Sequence, residues 1–319
     1  MHTTGGRWKS RVKTLLRRIR ARLLPVYVEH HTRLIPPLDE TAVCTQPIFV
    51  VGAHRSGTTL LRRILDSHPH IACPPESQFM LHFFQLVTHE RAMRGLRDMG
   101  FHPEEAIALL RRSAAQFHEM YRRAKGKPRW ADKTPEYVSF WSGMYKLFGE
   151  CASFIIMFRH PLDVAMSRWM RLMHLVRPPQ EHELFDICAQ VRDAQEQQLN
   201  FLEQLHADRR TYYVIFYEEL VAQPREILQG MCRFLNEPWD EALLHHDEQP
   251  HDHGMEDPIV RVTRGFRPSH GNWRAWSPAQ RRIAEEILSP MLDRLGYSAD
   301  EITRQPTPLI RSACRSQAA

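Results

Sequence analysis

The sequence predicts an α/β protein, a parallel sheet flanked by helices in a single domain, with a P-loop-like turn after its first strand. Three observations predict it. Short, wholly apolar runs stand at 48–51, 154–158 and 212–216; helical patterns separate them; and a glycine-bearing turn follows the first run directly. Strands that alternate with helices over this length build a parallel sheet covered on both faces.

In chain order, residues 1–33 form a basic amphipathic arm. In RWKSRVKTLLRRIRARLLPV, residues 7–26, Trp8, Val12, Leu15, Leu16, Ile19 and Leu23 recur at helical spacing, with cations on much of the opposite face. Such a helix docks on its own domain or on a partner, or lies peripherally on an anionic membrane surface. HTRLIPPLDE reads as a linker, because Pro36 and Pro37 forbid regular structure. The core domain spans about 45–298. Its first strand ends at Gly52, a helix starts near Gly57, and a long helical region runs from about 77 to 124. FIIMF is the second strand, with Pro161 at a helix start; YYVIF is the third, with Pro224 opening another helix. The last twenty or so residues, 299–319, read as a tail.

Charge narrows the class of partner. The net charge is +6 over 319 residues, but residues 1–33 hold nine Lys or Arg against one acid, leaving 34 basic and 36 acidic residues in the rest. The body is therefore not a nucleic-acid binder. Six scattered cysteines, with no C-x-x-C pair, fit reduced thiols rather than a disulfide framework or zinc site. With no span of about 20 apolar residues and no secretory signal pattern, a cytoplasmic location is expected, peripheral to a membrane if the arm binds one.

The chemistry concentrates in GAHRSGTTLL, residues 52–61. Gly52, Gly57 and Thr59 fit the phosphate-loop spacing G-x-x-x-x-G-K-[ST], but Thr58 replaces the lysine. Strand, turn and helix start aim backbone N–H groups and the helix dipole at one oxyanion, to which Ser56, Thr58, Thr59 and Arg55 add donors. ATP is a poor fit without the lysine. The second strand, moreover, runs into Arg159 and His160 instead of a magnesium-holding acid; only Glu218 and Glu219 stand after the third. Ser167, about two turns into the helix after Pro161, completes a second anion site with Arg159. HHDEQPHDH, residues 245–253, matches no strong zinc signature, so no metal is expected.

RSGTTLLRRILDSHP, FIIMFRHPLDVAMSRW and FYEEL together resemble the sulfotransferases that use 3′-phosphoadenosine 5′-phosphosulfate (PAPS), nearest the Golgi and bacterial-like branch that includes the tyrosylprotein sulfotransferases. The resemblance runs from about Pro47 to Tyr297. It implies that Arg55, Ser56, Gly57, Thr58 and Thr59 hold the donor's 5′-phosphate region, Arg55 also acting in catalysis by stabilising the leaving oxygen, and that Arg159 and Ser167 hold its 3′-phosphate. It further implies Tyr217 beside the adenine, and Arg274, with Arg267 as a further candidate, in a late segment, HGNWRAW, that closes over the nucleotide. Lys133 in WADKTP is implied as the donor to the leaving oxygen, and Glu76 as general base, with His54, His68, His70 or His82 as alternatives. The co-substrate would be PAPS, the acceptor a hydroxyl or amine on a small molecule, glycan or peptide. Two rivals stand beside this reading: a P-loop small-molecule kinase, and a non-catalytic anion-binding module.

Overall fold

The computed structural model describes residues 46–175 and 180–298; the N-terminal arm and the C-terminal tail lie outside them. Five parallel strands form one sheet in the order β2-β3-β1-β4-β5: β1 (Ile48–Val51), β2 (Ile71–Ala72), β3 (Arg129–Lys133), β4 (Ser153–Phe158) and β5 (Tyr212–Phe216). β1 is buried throughout, and its alternate residues enter separate cores. Phe49 and Val51 join the aromatic side with Phe84, Trp130, Tyr137 and Phe148, whereas Ile48 and Val50 pack with Leu61, Ile64 and Leu65. A strand that is apolar on both faces reads as a continuous run, which is why β1, β4 and β5 were visible in the sequence.

Helix α1 (Thr58–Ser67) follows the loop. The region expected as one long helical stretch consists of α2 (Met80–Thr88), α3 (Glu90–Asp98) and α4 (Pro103–Ala124), the last started by a proline at its first position. Then come α5 (Trp141–Phe148), α6 (Pro161–Leu175), α7 (Glu181–Ala207), α8 (Tyr217–Ala222), α9 (Pro224–Leu235), the short α10 (Pro258–Val262) and α11 (Pro278–Leu295).

The sequence pattern did not reveal β2 and β3. β2 is two residues long. β3 reads Arg-Trp-Ala-Asp-Lys, a polar string, yet all five residues are buried. Burying such groups requires a partner for each. Arg129 donates to the Gln46 and Leu235 carbonyls at 2.6 and 2.7 Å and to Ser153 Oγ at 2.8 Å. Asp132 accepts from Ser77 Oγ at 2.9 Å and from the Tyr137 hydroxyl, with His118 Nε2 at 3.2 Å. Burial pushes the Asp132 carboxyl up, but His118, Tyr137 and Ser77 outweigh it and hold it below the usual carboxylate range. Lys133 is therefore a strand-end residue rather than a loop lysine.

The strand order reverses direction between β1 and β4: the connection after β1 runs toward β2, that after β4 toward β5. A crevice opens at the carboxyl ends of two such strands, and ligands of open α/β sheets gather there. The glycine loop and Arg159 are both at that place.

Candidate active site

The loop leaves β1 under tight steric control. A Cβ on Gly57, whose φ is +95°, would lie 2.6 Å from the Tyr217 ring; one on Gly52 would lie 2.9 Å from the Met157 carbonyl oxygen. Both positions need glycine because protein already fills the space. Arg55 takes φ +73° without that freedom, a strained turn that sends its side chain across the crevice. Ser56 is fully buried and spends its hydroxyl on the Ala53 carbonyl at 2.6 Å, so it shapes the loop from within. No side chain caps the N-terminus of α1 at Gly57, and Thr58 and Thr59 are buried at its start.

Around this turn two groups of expected residues come together. In the first, Lys133 Nζ lies 2.5 Å from Glu76 Oε1 and 3.2 Å from Thr59 Oγ1; the lysine is fully buried and the glutamate side chain 13% exposed. Glu76 is held by its backbone too, its N–H donating to the Met255 carbonyl at 3.2 Å. In the second, Arg55 Nε donates to Ser167 Oγ at 2.9 Å, and Arg159 Nη1 donates to the Arg55 carbonyl at 2.8 Å. The sequence spacing implied two separate anion sites. The structure joins them into one strip, because both strands end at the same edge of the sheet. The Arg159 guanidinium lies 4.6 Å over the Tyr217 ring, whose hydroxyl donates to the Arg267 carbonyl at 3.2 Å.

Other expected residues make different contacts. Arg267 meets this group only through its backbone carbonyl, its side chain being exposed. The Arg274 guanidinium lies 4.8 Å over the Trp273 ring, and Trp273 in turn stacks on His160 at 5.8 Å. Of the histidine alternatives, His54 pairs with Glu136 at 3.3 Å. That hydrogen bond is the main reason the Glu136 carboxyl is pulled down to about 2. His68 and His70 contact the Pro238 carbonyl and Glu237, beyond the far end of α1, and His82 is exposed on α2.

Glu218, one of the two acids weighed for magnesium, accepts from the His160 N–H at 2.9 Å and the Tyr297 hydroxyl at 2.7 Å, and burial raises its pKa. Both carboxylate oxygens are thus engaged by His160 and Tyr297. In the 245–253 segment His246 and the His251 side chain are buried, whereas His245, Glu248, Pro250 and His253 are exposed. His251 bridges Asp66 and the His246 carbonyl at 2.8 and 2.7 Å, and burial pushes His246 down to about 4. Among the described residues, His68, His70 and Glu237 are one group whose ligand atoms lie within 4.8 Å, away from the crevice.

Two acids went unnoticed in the sequence. Asp257 sits 2.6 Å from Arg55 Nη1. Burial draws the Arg55 guanidinium below its usual value, partly offset by Asp257 and deepened by Arg171 and Arg159. Asp163, in the first turn of α6, accepts from Gly271 N–H at 2.8 Å and Asn272 N–H at 3.0 Å, which fixes the HGNW turn beside Arg159. An acid in a helix's first turn looks like ordinary dipole compensation, and a pairing across 202 positions, Arg55 with Asp257, leaves no local signal.

Residues 47–241 match the sulfotransferase family. The chain is 28% identical over 274 residues to a protein-tyrosine sulfotransferase of Drosophila melanogaster, covering 78% of this chain and 51% of that one. It is 26% identical to protein-tyrosine sulfotransferase 1 of Danio rerio, covering 78% and 72% respectively. Among solved structures it is similar to the sulfotransferase domain of the Synechococcus PCC 7002 olefin synthase, with TM-score 0.54, 26% identity, and coverage of 79% of this chain and 97% of that domain. The expected cytoplasmic location is corrected by these relatives: they are protein-tyrosine sulfotransferases, and they do not support it. No helix among the described residues is long and apolar enough to cross a membrane, and neither that nor the scattered cysteines assigns a compartment.

Proposed function

The chain belongs to the sulfotransferase family, and from that premise we propose that it moves a sulfuryl group from PAPS to a hydroxyl acceptor by in-line transfer, with Glu76 as general base. The observation that carries the proposal is the contact of Lys133 with both Glu76 and Thr59 at the start of the loop helix. It gathers a base, a cation for the leaving oxygen and a phosphate-binding turn at one point.

In this reading the acceptor oxygen attacks sulfur while Glu76 takes its proton. The bond between sulfur and the bridging oxygen breaks, and the electron pair leaves on the 5′-phosphate of adenosine 3′,5′-bisphosphate. Lys133 donates to that bridging oxygen as charge grows on it. The loop amides, Thr58, Thr59 and Arg55 hold the 5′-phosphate region, and Arg159 with Ser167 holds the 3′-phosphate, Arg55 linking the two through its hydrogen bond to Ser167. A transferring sulfuryl carries less negative charge than a phosphoryl, so cationic side chains suffice where a kinase needs a metal. The acceptor to test first is a tyrosine phenol, since the relatives carry that residue in their names.

Calorimetry tests the donor. Adenosine 3′,5′-bisphosphate is expected to bind, and magnesium-ATP to bind more weakly; the reverse order would favour the kinase and overturn the reading. The Asp257 contact adds a second expectation. A carboxylate 2.6 Å from Arg55 competes with any phosphate for that guanidinium. Asp257→Asn is therefore expected to tighten binding of the bisphosphate about tenfold, roughly the worth of one charge contact at a half-buried site. Weaker binding would mean that Asp257 instead holds Arg55 in place.

A further inference from the structure

Helix α7 has a buried stripe at 184, 188, 191, 195, 198, 202 and 205, the spacing of one helix face laid on a sheet. Five positions are apolar: Leu184, Cys188, Val191, Leu202 and Leu205. Gln195 and Gln198 interrupt them, and both are fully buried. An amide is costly there unless its groups are paired. Gln198 Oε1 accepts from the Ala53 N–H at 3.0 Å, and its Nε2 donates to the Met157 carbonyl at 3.0 Å. Gln195 Nε2 donates to the Arg159 carbonyl at 2.8 Å. The orientation of the Gln198 amide follows from its partners, since an N–H needs an acceptor and a carbonyl a donor.

Those two partners belong to a rung of the sheet that is not made directly. β1 and β4 pair as far as Val51 opposite Ile156. Two residues further in the same register, Ala53 would face Phe158 and direct its N–H at the Met157 carbonyl. The Gln198 amide stands between them instead. The strands part there to admit that amide, at the place where the sheet order reverses. Arg159 spans the resulting gap by donating to the Arg55 carbonyl.

We propose that Gln198 is a positioning residue for sulfuryl transfer. As a side-chain rung between β1 and β4, it sets the separation of the glycine loop from Arg159, and with it the fit of the donor's two phosphate ends; Gln195 steadies the backbone that carries Arg159. This rests on the donor reading above.

The test measures binding of adenosine 3′,5′-bisphosphate to the wild type, Gln198→Met and Gln198→Glu from about pH 5 to 9, spanning the carboxyl titration that burial raises, together with steady-state kinetics. Gln198→Met loses both hydrogen bonds and is expected to weaken binding about tenfold, raising the donor KM by a similar factor while kcat changes less. Gln198→Glu can accept from Ala53 in either form but donates to Met157 only when protonated. Its affinity, relative to the wild type at each pH, is expected to be near normal at the acid end and about tenfold weaker at the alkaline end. A role in stability alone would not make donor affinity follow that titration. Should Gln198→Met fail to fold, the Gln198→Glu profile decides by itself. A flat profile at wild-type affinity, or unchanged binding by folded Gln198→Met, overturns the proposal while leaving the donor reading intact. If the wild type does not bind the bisphosphate, the donor reading falls and this proposal with it.

Discussion

Lys133→Ala is expected to lower kcat for sulfuryl transfer about a thousandfold, the scale of removing one donor aimed at a developing charge, with a smaller effect on the donor KM. Lys133 ends β3, next to β1 in the sheet, and its ammonium is fully buried between Glu76 and Thr59. Water is excluded, so the charge acts at a low effective dielectric. Negative charge reaches the bridging oxygen only as the sulfur–oxygen bond breaks. The contact therefore strengthens between ground state and transition state, which is what lowers a barrier. Lys133→Arg should not rescue activity. A planar guanidinium is larger than an ammonium and presents its donors in a fixed fork, where the lysine side chain is fully buried and fitted between Glu76 and Thr59. Removing the cation also leaves the Glu76 carboxylate without its 2.5 Å partner. A loss of about 1–3 kcal/mol in stability should accompany the change, read as a lower melting temperature. Single-turnover transfer from labelled PAPS at saturating donor separates the two effects. If transfer by folded Lys133→Ala proceeds at the wild-type rate, the lysine is only a structural counterion to Glu76.

Glu76→Gln is expected to lower kcat about a hundredfold, within the range for general-base catalysis, while binding of adenosine 3′,5′-bisphosphate holds. The amide keeps the shape of the side chain and still accepts from Lys133 through one oxygen, but it cannot take the acceptor's proton. The loss should shrink as the acceptor hydroxyl becomes more acidic, because a readily ionised phenol needs less help. A panel of phenols of graded acidity checks this: the ratio of wild-type to variant rate should fall along the series. A constant ratio near one would move the base elsewhere, and His54, paired with Glu136 on the same rim, would be the first residue to examine.

Legibility followed the range of the interaction. The loop was visible because glycine spacing, a strand end and a helix start are all local, and a ten-residue stretch contains them. Arg159 and Ser167 were visible for the same reason, eight residues apart across one strand–helix junction. Glu76 and Lys133 came from the family resemblance rather than from residue chemistry. By local pattern alone Glu76, following Pro74 and Pro75, reads as a helix-start acid and Lys133 as a solvated lysine. Only the fold shows that Lys133 ends a fully buried strand whose polar residues are each paired. Asp257, Gln195 and Gln198 were missed altogether, although the two glutamines did leave a trace as polar breaks in a buried helical stripe.

By itself the sequence determined the fold class, the phosphate-type loop, the strand-end arginine with its serine, and the likeness to sulfotransferases, since each depends on residues near one another in the chain. The tertiary structure decided which charges face one another: Lys133 on Glu76, Asp257 on Arg55, Arg159 on the loop carbonyl, and the Gln198 amide between two strands. The physical reason is that a buried polar group must find its partner in space, and the fold brings together segments up to 202 residues apart. No spacing rule carries that information.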